Sequence, residues 1–175
     1  MTEVQLQRAC QSDLMRFARE LQEAFAVAIE ESFGPWDGGP IPSDKDIYEC
    51  FNEPGAEIWH IVADGQRIGG AVVKIDAATQ NNKLELFFIS PERHSRGAGL
   101  AAWRAIEQKY PDTRVWETYT PYFEQRNINF YVNKCGFRIV EFFNRHHPLD
   151  HVPRGDDGKP IPGGEEFFRF EKVMR

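Results

Sequence analysis

LELFFIS (84–90), then PE (91–92), RHSRGAGL (93–100) and the amphipathic AAWRAIEQKY (101–110), form the stretch whose reading decides the fold. It reads as a buried strand, a turn and a helix. The first turn of that helix carries no bulky side chain and is flanked by Arg93, His94 and Arg96. A helix N-terminus offers unpaired backbone N–H groups and a partial positive charge, and glycine lets an anion approach that backbone closely. The segment is therefore expected to bind a phosphate-bearing ligand.

Several nucleotide folds use a glycine turn, and spacing separates them. A Walker loop needs Lys and then Ser or Thr directly after its last glycine, whereas Gly99 is followed by Leu100 and Ala101. A Rossmann fingerprint comes closer: Gly97, Gly99 and Ala102 fit G-x-G-x-x-A, and Glu117 ends the next strand where a ribose-binding acid belongs. In that fold, however, the first glycine follows the strand almost directly, and here Pro91 to Arg96 intervene. The chain beyond Gly99 is also too short for the remaining parallel strands.

Working outward, residues 11–33 place Leu14, Phe17, Leu21, Phe25 and Ile29 near helical spacing, and Gly34-Pro35 stops that helix. Ser43 and Asp46 resemble a capping box for a short helix to Phe51. Residues 58–76 read as two strands around Asp64-Gly65, a hairpin signal. Strand 83–89 and the glycine-started helix follow, then strand 113–120, helix 122–135, strand 137–145 and strand 165–174. The segment 146–164 is expected to be a long loop. This order describes an α+β protein with a mixed, mostly antiparallel sheet and one parallel pair in its middle. At 175 residues the chain is expected to be one domain, 1–175.

The string ISPERHSRGAGL (89–100) resembles the acetyl-coenzyme A signature of the GNAT superfamily of N-acetyltransferases: strand, Pro, basic residue, then Arg or Gln-x-x-Gly-x-Gly or Ala. His94 departs from the usual Arg or Gln, and Gly97 and Gly99 fall on the two small positions. NINFYVNKCGF (127–137) resembles the second signature, a helix ending in Tyr-x-x-x-Gly-Phe, with Tyr131 at the aromatic acid position and Gly136-Phe137 at the helix stop. The resemblance implies the GNAT fold, with helices on both faces of the sheet, and acetyl-CoA as cosubstrate. It implies that the backbone of His94, Ser95, Arg96, Gly97, Ala98, Gly99 and Leu100 holds the pyrophosphate, with Arg93 and Arg96 adding charge. Phe88 and Ile89 would lend main-chain groups to the pantetheine arm where adjacent strands separate.

Acetyl transfer to an amine also needs an acid for the leaving thiolate and a base for the ammonium proton. Tyr131 is the expected acid. Glu85 and Glu117 are the candidate bases, with a water chain as the alternative. By strand alternation Glu85 faces away from both Leu84 and Leu86. The helical arm of residues 11–51 is expected to cover the acceptor, with Trp36, Asp37 and His147 shaping its pocket. The acceptor is a small-molecule or peptide amine. The competing reading is a non-catalytic acyl-CoA-binding sensor or interaction module.

The net charge of −6 disfavours non-specific nucleic-acid binding and suits a cationic amine. No apolar run reaches the roughly 18 residues that cross a bilayer, and the start MTEVQLQRACQSD has no basic-then-apolar leader pattern, so a cytoplasmic protein without membrane partners is expected. Cys10, Cys50 and Cys135 lack a CxxC pair, against a disulfide framework or a zinc site. His146, His147 and His151 with Asp150 and Asp156 invite a metal reading, but adjacent histidines on an extended chain point opposite ways, and no metal is expected. Phe142, Phe143, Phe167, Phe168 and Phe170 on the last two strands are expected as core on one face, the other face being open to a second copy in a homodimer.

Overall fold

The computed structural model describes residues 3–93, 97–152 and 161–175. Strand β1 (Val4–Arg8) leads through one 3-10 turn into α1 (Leu14–Phe33) and then α2 (Asp44–Asn52). Strands β2 (Ala56–Ala63), β3 (Gln66–Lys74) and β4 (Asn81–Ile89) precede α3 (Ala98–Lys109) and β5 (Val115–Pro121). Helix α4 (Gln125–Asn129) widens into π-helical turns over Phe130–Cys135, and β6 (Arg138–Phe143) and β7 (Phe167–Val173) close the chain.

Local chemistry explains most of these boundaries. Gly34, at φ +81°, ends α1 in a conformation that a Cβ disfavours. The Ser43 hydroxyl accepts the Asp46 N–H at 3.2 Å and caps α2. Asp64 and Gly65 both have positive φ, as a tight hairpin between β2 and β3 requires. Strand β1 was not anticipated. VQLQR offers only Val4 and Leu6 as apolar residues, and it becomes a strand through its antiparallel ladder with β2, Val4 opposite Ala63 to Arg8 opposite Trp59.

The sheet runs β1-β2-β3-β4-β5-β7-β6, antiparallel throughout except for β4 beside β5. Helices α1 and α2 cover one face, where Phe17, Leu21, Ile47 and Phe51 pack on Val72 and Phe88. On the other face Trp103 and Ile106 of α3, with Tyr131 and Cys135, pack on Val73, Leu84, Trp116 and Phe170. Gly70 lets α1 sit this close: a Cβ there would lie 2.2 Å from the Phe17 ring.

One-residue register shifts occur at Ile61/Val62 and at Ile139/Glu141, and two further irregularities bear on the site. Val72 pairs with Leu86 but Val73 with Leu84, so Glu85 is the extra residue of a β-bulge. Strict alternation therefore fails: Leu84 packs in the α3 layer and Leu86 in the α1 layer, rather than both opposing Glu85. The second lies beyond α4. Four residues, Val132 to Cys135, separate Tyr131 from Gly136, one more than the signature has, and the wide turns absorb the extra one. The N–H groups of Gly136 and Phe137 both donate to the Tyr131 carbonyl, Phe137 at 2.9 Å. The helix also begins later than residue 122, because Pro121–Glu124 form a turn in which the Glu124 N–H donates to the Pro121 carbonyl at 3.1 Å.

The strand aromatics divide between both faces instead of one. Phe143 and Phe167 join Ile29 and Ile41 on the α1 side, while Phe168 and Phe170 pack on the α3 side. Within the 146–164 segment His147 bridges back to Asn144. Among the described residues no helix is long and apolar enough to cross a membrane.

Candidate active site

The parallel contact between β4 and β5 is short. It joins only Asn81, Asn82 and Lys83 to Val115, Trp116 and Glu117. Beyond it β5 stays paired to β7, from Thr118 opposite Phe170 to Pro121 opposite Phe167, while β4 follows β3. The strands part into a wedge, and the Thr118 hydroxyl donates to the Leu84 carbonyl at 2.9 Å across its apex.

Helix α3 starts just after β4 ends. Gly97 caps it at φ +84°, and the Ala101 N–H donates to the Gly97 carbonyl at 2.9 Å. Ala98 is buried, and a Cβ on Gly99 would meet the Phe130 ring at 3.3 Å, so small residues let this first turn sit against the wide turns of the next helix. Leu100 packs at the edge of the Trp103 cluster. Arg93 ends a short helical turn, exposed. His94, Ser95 and Arg96 lie outside the described residues. The backbones of Phe88 and Ile89 lie opposite Gly70 and Gly69 of β3, and the Phe88 ring meets Phe17 edge-on at 5.4 Å.

Tyr131 lies at the wedge on the α3 side, enclosed by Phe130, Phe137 and Phe170. Its hydroxyl meets the Thr118 side chain, an interaction that favours the ionised phenol and works against burial. Burial raises the Tyr131 pKa, which keeps the phenol protonated at neutral pH.

Glu85 faces the opposite layer. Burial raises its pKa and the charge of Glu53 adds to this, against Lys83 and Lys74. Among the described residues it makes no hydrogen bond or ion pair, so a half-buried carboxyl is left without a partner. Glu117 is placed differently. Lys83 approaches it at 3.5 Å and Arg169 at 3.3 Å, and Arg169 also holds Glu141 at 2.9 Å and Glu171 at 2.5 Å. The Glu117 carboxylate is thus held in ion pairs on two sides.

Trp36 is held by its indole N–H donating to the Gly39 carbonyl at 2.9 Å and packs on the cluster of Ile29, Phe143 and Phe167. His147 stacks on Phe143 at 5.2 Å and meets Glu141 at 2.7 Å, a contact that lowers the Glu141 pKa together with Arg169. The structure therefore brings Trp36 and His147 to one aromatic group on the α1 side, with Asp37 exposed beside Trp36. His151 turns elsewhere, toward Asp46 and Glu49 of α2, where ligand atoms lie within 4.8 Å of one another at an exposed surface. Thr118 and Glu124 were not singled out from the sequence. The spacing Glu124, Asn127, Tyr131 could have flagged one of them, because steps of three and four share a helix face.

The acetyltransferase (GNAT) family profile matches residues 18–137. The chain belongs to the GNAT acetyltransferase family. It is 58% identical over 172 residues to the uncharacterized protein YrkN of Bacillus subtilis (strain 168), covering 97% of this chain and 93% of that one. Among solved structures, a Bacillus subtilis acetyltransferase in complex with CoA superposes at a TM-score of 0.61 with 16% identity, both chains being covered in full. A Salmonella typhimurium acetyl transferase that modifies the N-terminal serine of ribosomal protein L7/L12 superposes at 0.69 with 11% identity, over 100% of this chain and 97% of that one. At these identities the likeness shows that the GNAT fold is shared.

Proposed function

We propose that this GNAT protein is a cytoplasmic, acetyl-CoA-dependent N-acetyltransferase that serves a primary amine by direct attack in a ternary complex. One observation carries the reading: β4 and β5 part beside a glycine-capped helix start, with a buried phenol on one side of the opening and an unpaired carboxylate on the other.

The residues fit acetyl-CoA in each of its parts. The small first turn of α3, from Gly97 to Leu100, offers backbone N–H groups to a pyrophosphate, with Arg93 nearby. The wedge between β4 and β5 admits the pantetheine arm as an added strand, and a β4 N–H polarises the thioester carbonyl. Glu85 takes the ammonium proton directly or through one water. Tyr131 protonates the departing thiolate. On the α1 side Glu53 pairs with Lys74 and Glu141 with Arg169 and His147, which leaves Glu85 as a carboxyl without an ion pair among the described residues and suits a cationic amine. The N-terminal serine that the Salmonella neighbour modifies makes a peptide N-terminus one such acceptor, beside small amines. A second copy bound at β6, the sheet's last strand, where Ile139, Val140 and Phe142 are exposed, belongs to the same reading. A monomer by sedimentation equilibrium would remove it.

The test combines calorimetric titration of CoA and acetyl-CoA with CoA release over a panel of peptides, diamines and n-butylamine. Tyr131→Phe and Glu85→Gln should each lower kcat about 100-fold while leaving acetyl-CoA affinity within about twofold. Tight binding without turnover of any amine would convert the reading to a non-catalytic acyl-CoA module. Absence of binding would end both.

A further inference from the structure

One buried carboxylate is left unused by the reaction described above. Glu124 sits at the N-cap of α4 with only 8% of its surface exposed. A glutamate at a helix start ordinarily stays in water, near the first-turn N–H groups. Glu124 does neither: its side chain makes no capping bond and is turned inward. Its partner is the Asn127 side-chain amide, which donates to Oε2. Tyr131 follows at the next step of four on the same helix face, near enough for the charge of Glu124 to raise the phenol further.

A polar line therefore runs through an otherwise apolar cluster of Trp103, Trp116, Phe137 and Phe170. Its hydrogen-bonded parts are the Glu124–Asn127 pair and the Thr118 hydroxyl on the Leu84 carbonyl at the wedge apex, and Tyr131 interacts with Thr118 and, through charge, with Glu124. Buried polar groups of this kind weaken a fold unless fully paired, and an apolar residue at 124 would pack with less cost. Its place on the helix face of Tyr131, the proposed acid, points to proton handling.

We infer that Glu124 is a positioning residue of the transfer, which acts through Tyr131 by returning the proton that the phenol gives to the leaving thiolate. The inference rests on the N-acetyltransferase reading. As the amine nitrogen bonds to the acetyl carbon, the C–S bond breaks and its electron pair stays on sulfur. Tyr131 transfers its O–H proton to that sulfur, the Glu124 carboxyl reprotonates the phenolate through a bridging water, and solvent returns a proton to Glu124. The ammonium proton leaves on the other side through Glu85 or water, so charge and atoms balance.

Two effects set the titration of Glu124, burial first and then the opposing hydrogen bond from Asn127, and together they push it up to about 7. The charged groups around the far end of this helix, Lys172, Glu107, Arg104 and Lys134, act on Cys135 instead. The competent, protonated carboxyl is thus present below about pH 7 and lost above it.

The experiment measures kcat against pH for acetylation of n-butylamine by wild type, Glu124→Gln and Glu124→Asp. Acetyl-CoA affinity by calorimetry and thermal midpoints serve as controls. Wild-type kcat should fall as pH rises through about 7; Glu124→Gln should be about tenfold slower at pH 6 and lack that limb, and Glu124→Asp should restore it. A Gln variant that keeps the wild-type limb overturns the inference, as does one that loses only acetyl-CoA affinity. If wild type turns over no amine while binding acetyl-CoA, the N-acetyltransferase reading fails first and takes this inference with it.

Discussion

Replacing Glu124 by Gln should stabilise the protein, and by more at high pH than at low. The carboxyl moves from an ordinary 4.5 to about 7 on folding because burial disfavours its charged form. The sign follows from linkage. Below 4.5 both folded and unfolded states hold the proton, so the acid carries no extra penalty; as pH rises toward 7 the unfolded chain ionises freely while the folded one cannot, and stability is lost. At about 1.36 kcal/mol for each pH unit, the full loss is about 3 kcal/mol, of which about 2.5 falls between pH 5 and pH 8. Glutamine keeps the shape and the partner Asn127 but never ionises. The advantage of Glu124→Gln over wild type should therefore grow by about 2.5 kcal/mol across that interval, or about 5–10 °C in thermal midpoint for a chain of this length. Urea or thermal denaturation of both proteins at pH 5 and pH 8 measures it, and every other titrating group cancels in the difference. Equal advantages at the two pH values would show that Glu124 is not buried as a carboxyl, and the proton-return argument would lose its physical basis.

Gly70→Val should lower the urea midpoint by the equivalent of about 1–3 kcal/mol, because even the Cβ would sit 2.2 Å from the Phe17 ring and α1 would have to lift. An unchanged midpoint would mean that α1 reseats without strain. Arg169→Met should cost about 2 kcal/mol near neutral pH by leaving Glu117, Glu141 and Glu171 without their shared guanidinium. That cost should shrink below about pH 4, where the carboxyls take up protons; a constant cost would assign it to packing of the Arg169 stem instead.

Much of the fold was legible because its elements carry their own periodicity and stops. Residues 11–33 repeat at helical spacing and end at a glycine that the backbone requires, and Asp64-Gly65 turns the hairpin through paired positive φ values. The glycine-started helix was readable for the same reason. Strand β1 was not, since five residues with Val4 and Leu6 alone apolar become a strand only when β2 supplies the partner. The candidate site was legible in its residue types and less so in their facing. Glu85 and Glu117 look alike in the sequence, both next to apolar neighbours on strands. What separates them is tertiary: Lys83 and Arg169 reach Glu117, while among the described residues no ion pair holds Glu85.

Of the irregularities invisible to periodicity, two bear on the site. At the bulge, one added residue reverses the facing of β4, so that Leu84 stays with Tyr131 in the α3 layer while Glu85 meets α2 on the other side. In the wide turns, one added residue lengthens the step from Tyr131 to Gly136 and lets both following N–H groups close on the Tyr131 carbonyl, which anchors that residue against Thr118. Each insertion disrupts regular hydrogen bonding, and neither is needed to bury the core. Together they put the Glu85 carboxyl and the Tyr131 phenol on opposite faces of the sheet at the point where β4 leaves β5. On the reading proposed above, that division lets a base serve the amine and an acid serve the sulfur from separate positions, so that neither group crowds the other.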